Sequence, residues 1–252
     1  MNDGKKRGVQ VRPGIFQLRV AYTNCYLLET DDGLTLIDAG FPGTWPLLVS
    51  VLDVLGAGPS DLSAVLLTHA HFDHVGMARR LRRDHGVPVL VHPSDLRLVR
   101  HPFSYAHEES RLAFLLRHPG GVPKLGRMVG AGALWTHGVE ARPDLVSGEP
   151  ADVPGHPTPI LSPGHTDGHV GFFLPDSGTL FTGDALVTLD PYTGRRGPHI
   201  IAPAATNNTE RALASLDAFS SLDADLVLTG HGEPWRRGIG EAVEQARTAP
   251  HY

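Results

Sequence analysis

The chain has 252 residues, 41% hydrophobic and 19% charged, the profile of an ordinary globular protein long enough to bury a core without staples. A net charge of −5 argues against nucleic acid or an anionic membrane as partner, and no run of about eighteen apolar residues offers a membrane span. The single cysteine, Cys25, excludes an internal disulfide, and the charged N-terminus lacks the apolar stretch of a signal peptide, so a cytoplasmic location is expected.

Taken in order, residues 1–13 read as a polar tail. Residues 15–38 read as short strands, one over 20–29, a hairpin turn at Asp31-Asp32-Gly33, and the next over 34–37. Apolar spacing at Trp45, Leu48, Val49, Leu52 and Leu55 predicts a helix over 44–55, stopped by Gly56. A buried strand over 64–67, a helix over 77–85 closed by Gly86, and a strand over 87–91 follow, with Pro88 pushing the last towards a sheet edge. Residues 93–149 differ in character. Short helices over 94–100 and 108–116, broken by proline and glycine, read as a mainly helical insertion within a single domain of 1–252. A proline-rich link at 154–159 leads to further short strands, a helix over 206–222, a strand over 225–228 and a last helix over 240–247.

The chemistry concentrates in Thr68-His69-Ala70-His71-Phe72-Asp73-His74, directly after the 64–67 strand. Imidazole and carboxylate together are the ligand set of zinc and its first-row neighbours. A pattern then repeats: an apolar run ends in Thr or Ser and delivers a polar side chain one to three residues later. It delivers His69, His165, Asp184 and His231, and a fifth run, Leu36-Ile37, ends at Asp38. Groups placed at the carboxyl ends of several strands converge on one rim, and glycines 164, 183 and 230 are read as letting backbone approach it closely.

The stretches at 68–76, 163–169 (Pro-Gly-His-Thr-Asp-Gly-His), 182–186 (Thr-Gly-Asp-Ala-Leu) and 229–232 (Thr-Gly-His-Gly) together resemble, in order, the motifs of the metallo-β-lactamase-fold hydrolases. The resemblance implies an α+β fold, an αββα sandwich of two face-to-face mixed sheets flanked by helices. It implies two zinc ions per chain, with iron or manganese as alternatives. One would be held by His69, His71 and His165, the other by Asp73, His74 and His231, with Asp184 bridging. A hydroxide between two such metals would cleave a small-molecule ester, thioester or lactone, with Asp73 and Asp184 orienting it or relaying a proton. Asp38 is then either hydrogen-bonded to a ligand histidine or simply a turn aspartate. His169 is placed behind the ligands rather than among them. The other histidines read as bystanders, His199 alone lying where it could border a pocket.

Departures from the named branches leave the substrate open. True β-lactamases of this fold lack the bridging aspartate present here as Asp184. Glyoxalase II enzymes carry a helical glutathione-binding domain, whereas this chain ends soon after His231. Acyl-homoserine lactonases place a tyrosine where this chain has Val187. The alternatives are a persulfide dioxygenase with one iron on His69 or His71, His165 and Asp184, a phosphodiesterase, and a metal-binding scaffold without catalysis. The 93–149 insertion reads as a lid or pocket wall, or equally as a structural element or homodimer interface.

Overall fold

The computed structural model describes residues 8–249. Six strands make the first sheet in chain order: β1 (Val9–Arg12), β2 (Ile15–Val20), β3 (Thr23–Thr30), β4 (Gly33–Ile37), β5 (Leu62–Leu66) and β6 (Val89–Leu90). The first four pair antiparallel through tight turns, while β4, β5 and β6 run parallel. Parallel neighbours need a crossover. Helix α1 (Trp45–Val54) supplies it between β4 and β5, and α2 (Ala78–His85) between β5 and β6. Three helices follow, α3 (Leu96–Arg100), α4 (Arg111–Arg117) and α5 (Val122–Gly130). Then come β7 (Thr158–Leu161), β8 (Val170–Leu174) and β9 (Thr179–Gly183), and a separate two-stranded ribbon of β10 (Val187–Leu189) and β11 (Arg196–His199). Helices α6 (Thr209–Ser215) and α7 (Asp217–Ser220), strand β12 (Leu226–Thr229) and helix α8 (Ile239–Thr248) complete the chain. The second sheet has the order β12-β9-β8-β7, with β12 parallel to β9.

Successive side chains of a strand point to opposite faces, and here both faces are apolar because both are covered. In β3 and β4, Cys25, Leu27, Leu34 and Leu36 pack outward with Leu48, Leu52 and Leu81 of α1 and α2. Tyr26, Leu28 and Ile37 point inward and meet Phe172, Phe181, Leu226 and Leu228 of the second sheet. On the far side, Leu180 and Val227 pack with Phe219, Ala242 and Val243 beneath α7 and α8. The result is the helix–sheet–sheet–helix sandwich. Each fully buried Leu or Phe in these layers contributes roughly 1.5–3 kcal/mol.

The structure corrects several sequence expectations. Residues 9–12 of the expected polar tail are strand β1, and residues 1–7 lie outside those described. The strand expected over 20–29 begins only at Thr23, because Ala21 and Tyr22 make the hairpin turn at φ +49° and +74°. No Gly or Asn marks that turn. The helix expected over 206–222 is two short ones, entered at Asn208, whose side chain accepts from Arg211 N–H. The strand expected over 87–91 keeps two residues. Helix α5 has no counterpart among the expected elements, since Pro123 and Gly126 read as loop; proline in the first turn of a helix gives up no intrahelical hydrogen bond.

Candidate metal centre

Strands β4, β5, β9 and β12 end at one rim, and β7 of the second sheet ends beside them. The residues after their carboxyl ends are Asp38, the 67–74 loop, Asp184, Gly230-His231 and the 162–169 loop, in that order. Backbone hydrogen bonds lock the loops together: Val170 N–H donates to Thr68 O and Asn24 N–H to Gly230 O across the two sheets, each at 2.8 Å, and Gly230 N–H donates to Gly183 O within the second sheet at 2.8 Å. The buried Asn24 side chain donates to Thr229 O and Gly232 O at 2.8 and 2.9 Å, which fixes the loop that carries His231.

All seven residues expected as ligands come together, and all are buried. Ligand atoms of His69, His71 and His165 lie within 4.8 Å of one another, as do those of His69, His74 and Asp184, and those of Asp73, His74 and His231. Asp184 sits at the centre. Its carboxylate oxygens lie 3.8, 3.5, 3.5 and 3.1 Å from Nε2 of His69, His74, His165 and His231. His71 instead turns Nδ1 inward, 2.9 Å from His165 Nε2.

Outer hydrogen bonds aim these rings. His74 Nδ1 donates to Asp38 Oδ2 at 2.9 Å, and His231 Nδ1 to the Tyr22 carbonyl at 3.0 Å. His69 Nδ1 lies 3.0 Å from Thr68 Oγ1, whose own proton faces Asp38, and His165 Nδ1 lies 3.3 Å from Thr206 Oγ1, which donates to Ile201 O. A neutral ring that donates through Nδ1 presents a lone pair at Nε2. His69 and His165 present such a lone pair toward Asp184, and His74 and His231 would do so once their Nε2 protons leave. Nε2 of His69 and His74 and Oδ1 of Asp184 are buried without hydrogen-bond partners among the described residues. Leaving such atoms unpaired costs about 1–3 kcal/mol each, a cost that a divalent cation in their midst offsets, so the donor set fits a metal.

Electrostatics divides the cluster. Burial and the neighbouring imidazoles hold His69 and His71 well below the usual histidine range, and burial takes His165 down to about 4. Burial acts the same way on His74 and His231. There the facing carboxylates of Asp184 and Asp73 outweigh it, raising His74 well above its ordinary value and pushing His231 up to about 10. Burial would raise Asp184, but His231 and His74 beside it hold its carboxyl well below the usual range.

His169 stands outside the ligand groups. Its Nδ1 donates to Ser162 Oγ at 2.8 Å, and its Nε2 accepts from Asp184 N–H at 3.0 Å and Ala185 N–H at 3.2 Å, so it braces the turn that carries Asp184. Asp38 accepts from Thr68 N–H, Thr68 Oγ1 and His74 at once. His199 is buried in β11 against the Gly197 carbonyl, away from the cluster. Of the three glycines, 183 and 230 approach the site, whereas Gly164 packs against Ala212 of α6.

Sequence reasoning missed Asp95. Its buried carboxylate accepts from Ala70 N–H at 3.2 Å, Thr166 Oγ1 at 2.8 Å and Gly168 N–H at 2.8 Å, tying the 69–74 loop to the 163–169 loop. Pro93-Ser94-Asp95 reads as a helix start, and its partners lie far away in the chain. Tyr105 was also missed. From the insertion it stacks on His71 with ring centres 3.8 Å apart, and with Phe72, Met128 and Tyr192 it walls the cluster.

A two-sheet sandwich that gathers buried histidines and aspartates at its strand ends is the architecture of a metal-dependent enzyme fold. Residues 18–231 match the family model of the metallo-beta-lactamase superfamily, and the chain belongs to that superfamily. It is 29% identical over 239 residues to the Bacillus subtilis protein named probable metallo-hydrolase YflN, covering 90% of this chain and 87% of that one. Among solved structures it is similar to the metallo-beta-lactamase family protein TTHA1429 of Thermus thermophilus, with TM-score 0.67, 27% identity, and 94% and 79% of the two chains covered. It is also similar to TTHA1623 in a di-iron-bound form, with TM-score 0.60, 28% identity, and 96% and 98% covered.

Proposed function

We propose that this protein is a dinuclear zinc hydrolase that cleaves a small ester, thioester or lactone. The observation that carries the reading is the Asp184 carboxylate, met by four imidazole Nε2 atoms at 3.1–3.8 Å in a buried pocket. His69, His71 and His165 would hold one cation, Asp73, His74 and His231 the other, and Asp184 would lie between them. Bound there, the two cations supply Lewis-acid polarisation of the acyl oxygen and lower the pKa of a water molecule. The chain's own part is to orient and to move protons. Thr23 Oγ1 donates to Asp73 Oδ2 at 3.3 Å and steadies that carboxylate, which would accept a proton from the attacking water and pass it to the leaving group. Phe72, Tyr105, Met128 and Tyr192 keep bulk water from the reacting atoms.

The experiment is metal analysis of protein purified without added metal, followed by an ester, thioester and lactone screen. Two zinc per chain with turnover, reduced by about two orders of magnitude in Asp184→Asn, supports the hydrolase. The di-iron form of TTHA1623 makes iron the competing metal. One iron per chain with oxygen uptake on a persulfide overturns the reading in favour of the dioxygenase. Stoichiometric metal without turnover on any substrate overturns it in favour of a scaffold.

A further inference from the structure

The space enclosed among His71, Asp73, Tyr105, His165, Asp184 and His231 measures about 20 Å³, room for roughly one water-sized sphere. A molecule whose bond is broken there must keep most of its body outside. The adjoining groove measures about 660 Å³, within the usual range for small-molecule sites. Gly232, next to His231, lines it, and so does Tyr22, whose carbonyl receives the His231 Nδ1 proton. Helix α5 borders both spaces: Arg127 lines the groove, and the adjacent Met128 lines the small cavity.

The groove is electropositive in a protein of net charge −5. Arg19, Arg127 and Arg196 line it against one acid, Glu233, which is already paired with Arg19. Arg127 donates to the Tyr22 hydroxyl, with its guanidinium 5.5 Å from that ring. Among the described residues neither Arg127 nor Arg196 has a carboxylate at ion-pair distance. The carboxyl end of α5 contributes about half a negative charge, less than either unpaired guanidinium. Tyr22 is fixed as a wall between groove and cluster. It holds φ at +74°, a conformation costly for a bulky side chain, with its carbonyl on His231 and its hydroxyl on Arg127. Strain of this kind gathers at ligand clamps.

We infer that this groove receives an anionic, oxygen-rich group of the substrate, a carboxylate or a phosphate, held by the guanidinium forks of Arg127 and Arg196 while the acyl bond lies at the metal cluster. Guanidinium matches the paired oxygens of both anions. The inference rests on the hydrolase reading for the word substrate, but the anion site has its own readout.

The test compares metal-loaded wild type with Arg127→Gln/Arg196→Gln of equal metal content. Calorimetric titration with glutarate and with inorganic phosphate reads binding directly. In parallel, kcat/KM is measured for 4-nitrophenyl butyrate and for its counterparts of similar length ending in carboxylate or phosphate. Wild type is expected to favour an anionic ester about 10-fold or more, and the double variant to lose about 10-fold of that ratio and of the anion affinity. Arg196→Lys keeps the charge and should keep more of the ratio than Arg196→Gln. Whichever anion gives the larger effect identifies the group. Anion binding indifferent to both substitutions overturns the inference, whatever the esters do. Anion binding lost in the double variant, with no ester cleaved by either protein, upholds the groove and sinks the hydrolase. Cleavage with the same ester ratio in both proteins upholds the hydrolase and sinks the groove.

Discussion

Gly230 faces Asp184 so closely that a Cβ on it would lie 2.0 Å from Oδ1, and 2.9 Å from Cε1 of His74. No rotation of a methyl group avoids a contact that short, so the carboxylate must move. Gly230→Ala is therefore expected to fold, with its core untouched, and to bind metal about 10-fold or more weaker than wild type. Equilibrium dialysis against zinc checks this, and an unchanged affinity would show that Asp184 has no fixed place among the ligands.

Metal binding should release protons. The carboxylates of Asp73 and Asp184 hold His74 and His231 protonated at neutral pH, the latter up to about 10, against the opposing pull of burial. A cation needs the bare Nε2 of each ring. Zinc binding at pH 7 is expected to release about two protons per chain, with apparent affinity falling as pH falls. Calorimetry in two buffers of different ionisation enthalpy counts them. A count near zero would contradict the raised values.

Asp95 joins the two ligand loops, and burial, outweighing its three hydrogen bonds, raises its carboxyl from 3.8 to about 6. A carboxyl whose pKa is raised on folding favours the native state below its unfolded pKa, and that contribution is lost as pH rises through the folded value. The stability advantage of wild type over Asp95→Asn should thus shrink between pH 4 and about 6.5, by roughly 3 kcal/mol at most. At every pH the variant also loses about 1–3 kcal/mol, because an amide cannot accept from all three donors. Urea unfolding of both proteins across that range gives the difference directly. A constant difference would place the carboxyl at its ordinary pKa.

Cys25 is fully buried between Leu18 and the helices of the first sheet, and burial pushes its thiol up. Only thiolate reacts with disulfide reagents. The native protein should be inert to Ellman's reagent and should give one equivalent on unfolding. Rapid reaction of the native thiol would mean that this core layer opens far more often than its packing allows.

The ligand residues were legible because metal chemistry restricts them to a few residue types, and because His69, His165, Asp184 and His231 each follow an apolar run within one to three residues. Asp73 and His74 lie beside His69 in sequence and in space, so spacing alone nearly sufficed. The αββα layering came from the resemblance. Alternation could not supply it, since β3, β4 and β12 are apolar on both faces. Asp95, Asn24 and Tyr105 were illegible for a single reason: each acts on backbone or rings far away in the chain, through contacts any Asp, Asn or Tyr could make. The Ala21-Tyr22 turn escaped because its positive φ is sustained by His231 and Arg127 rather than by a residue type that favours it.

The ligands are divided between the sheets, His69 to His74 after β5 and the other three after β7, β9 and β12. Closing the loops between them costs entropy that nothing local offsets. The docking of Tyr26, Leu28 and Ile37 onto Phe172, Phe181 and Leu228 does so, and that docking is the inter-sheet core itself. The full ligand set is therefore assembled only where the two sheets are docked. A chain whose second sheet is not yet in place carries only the 69–74 fragment, so any metal chemistry waits on the packing of the core.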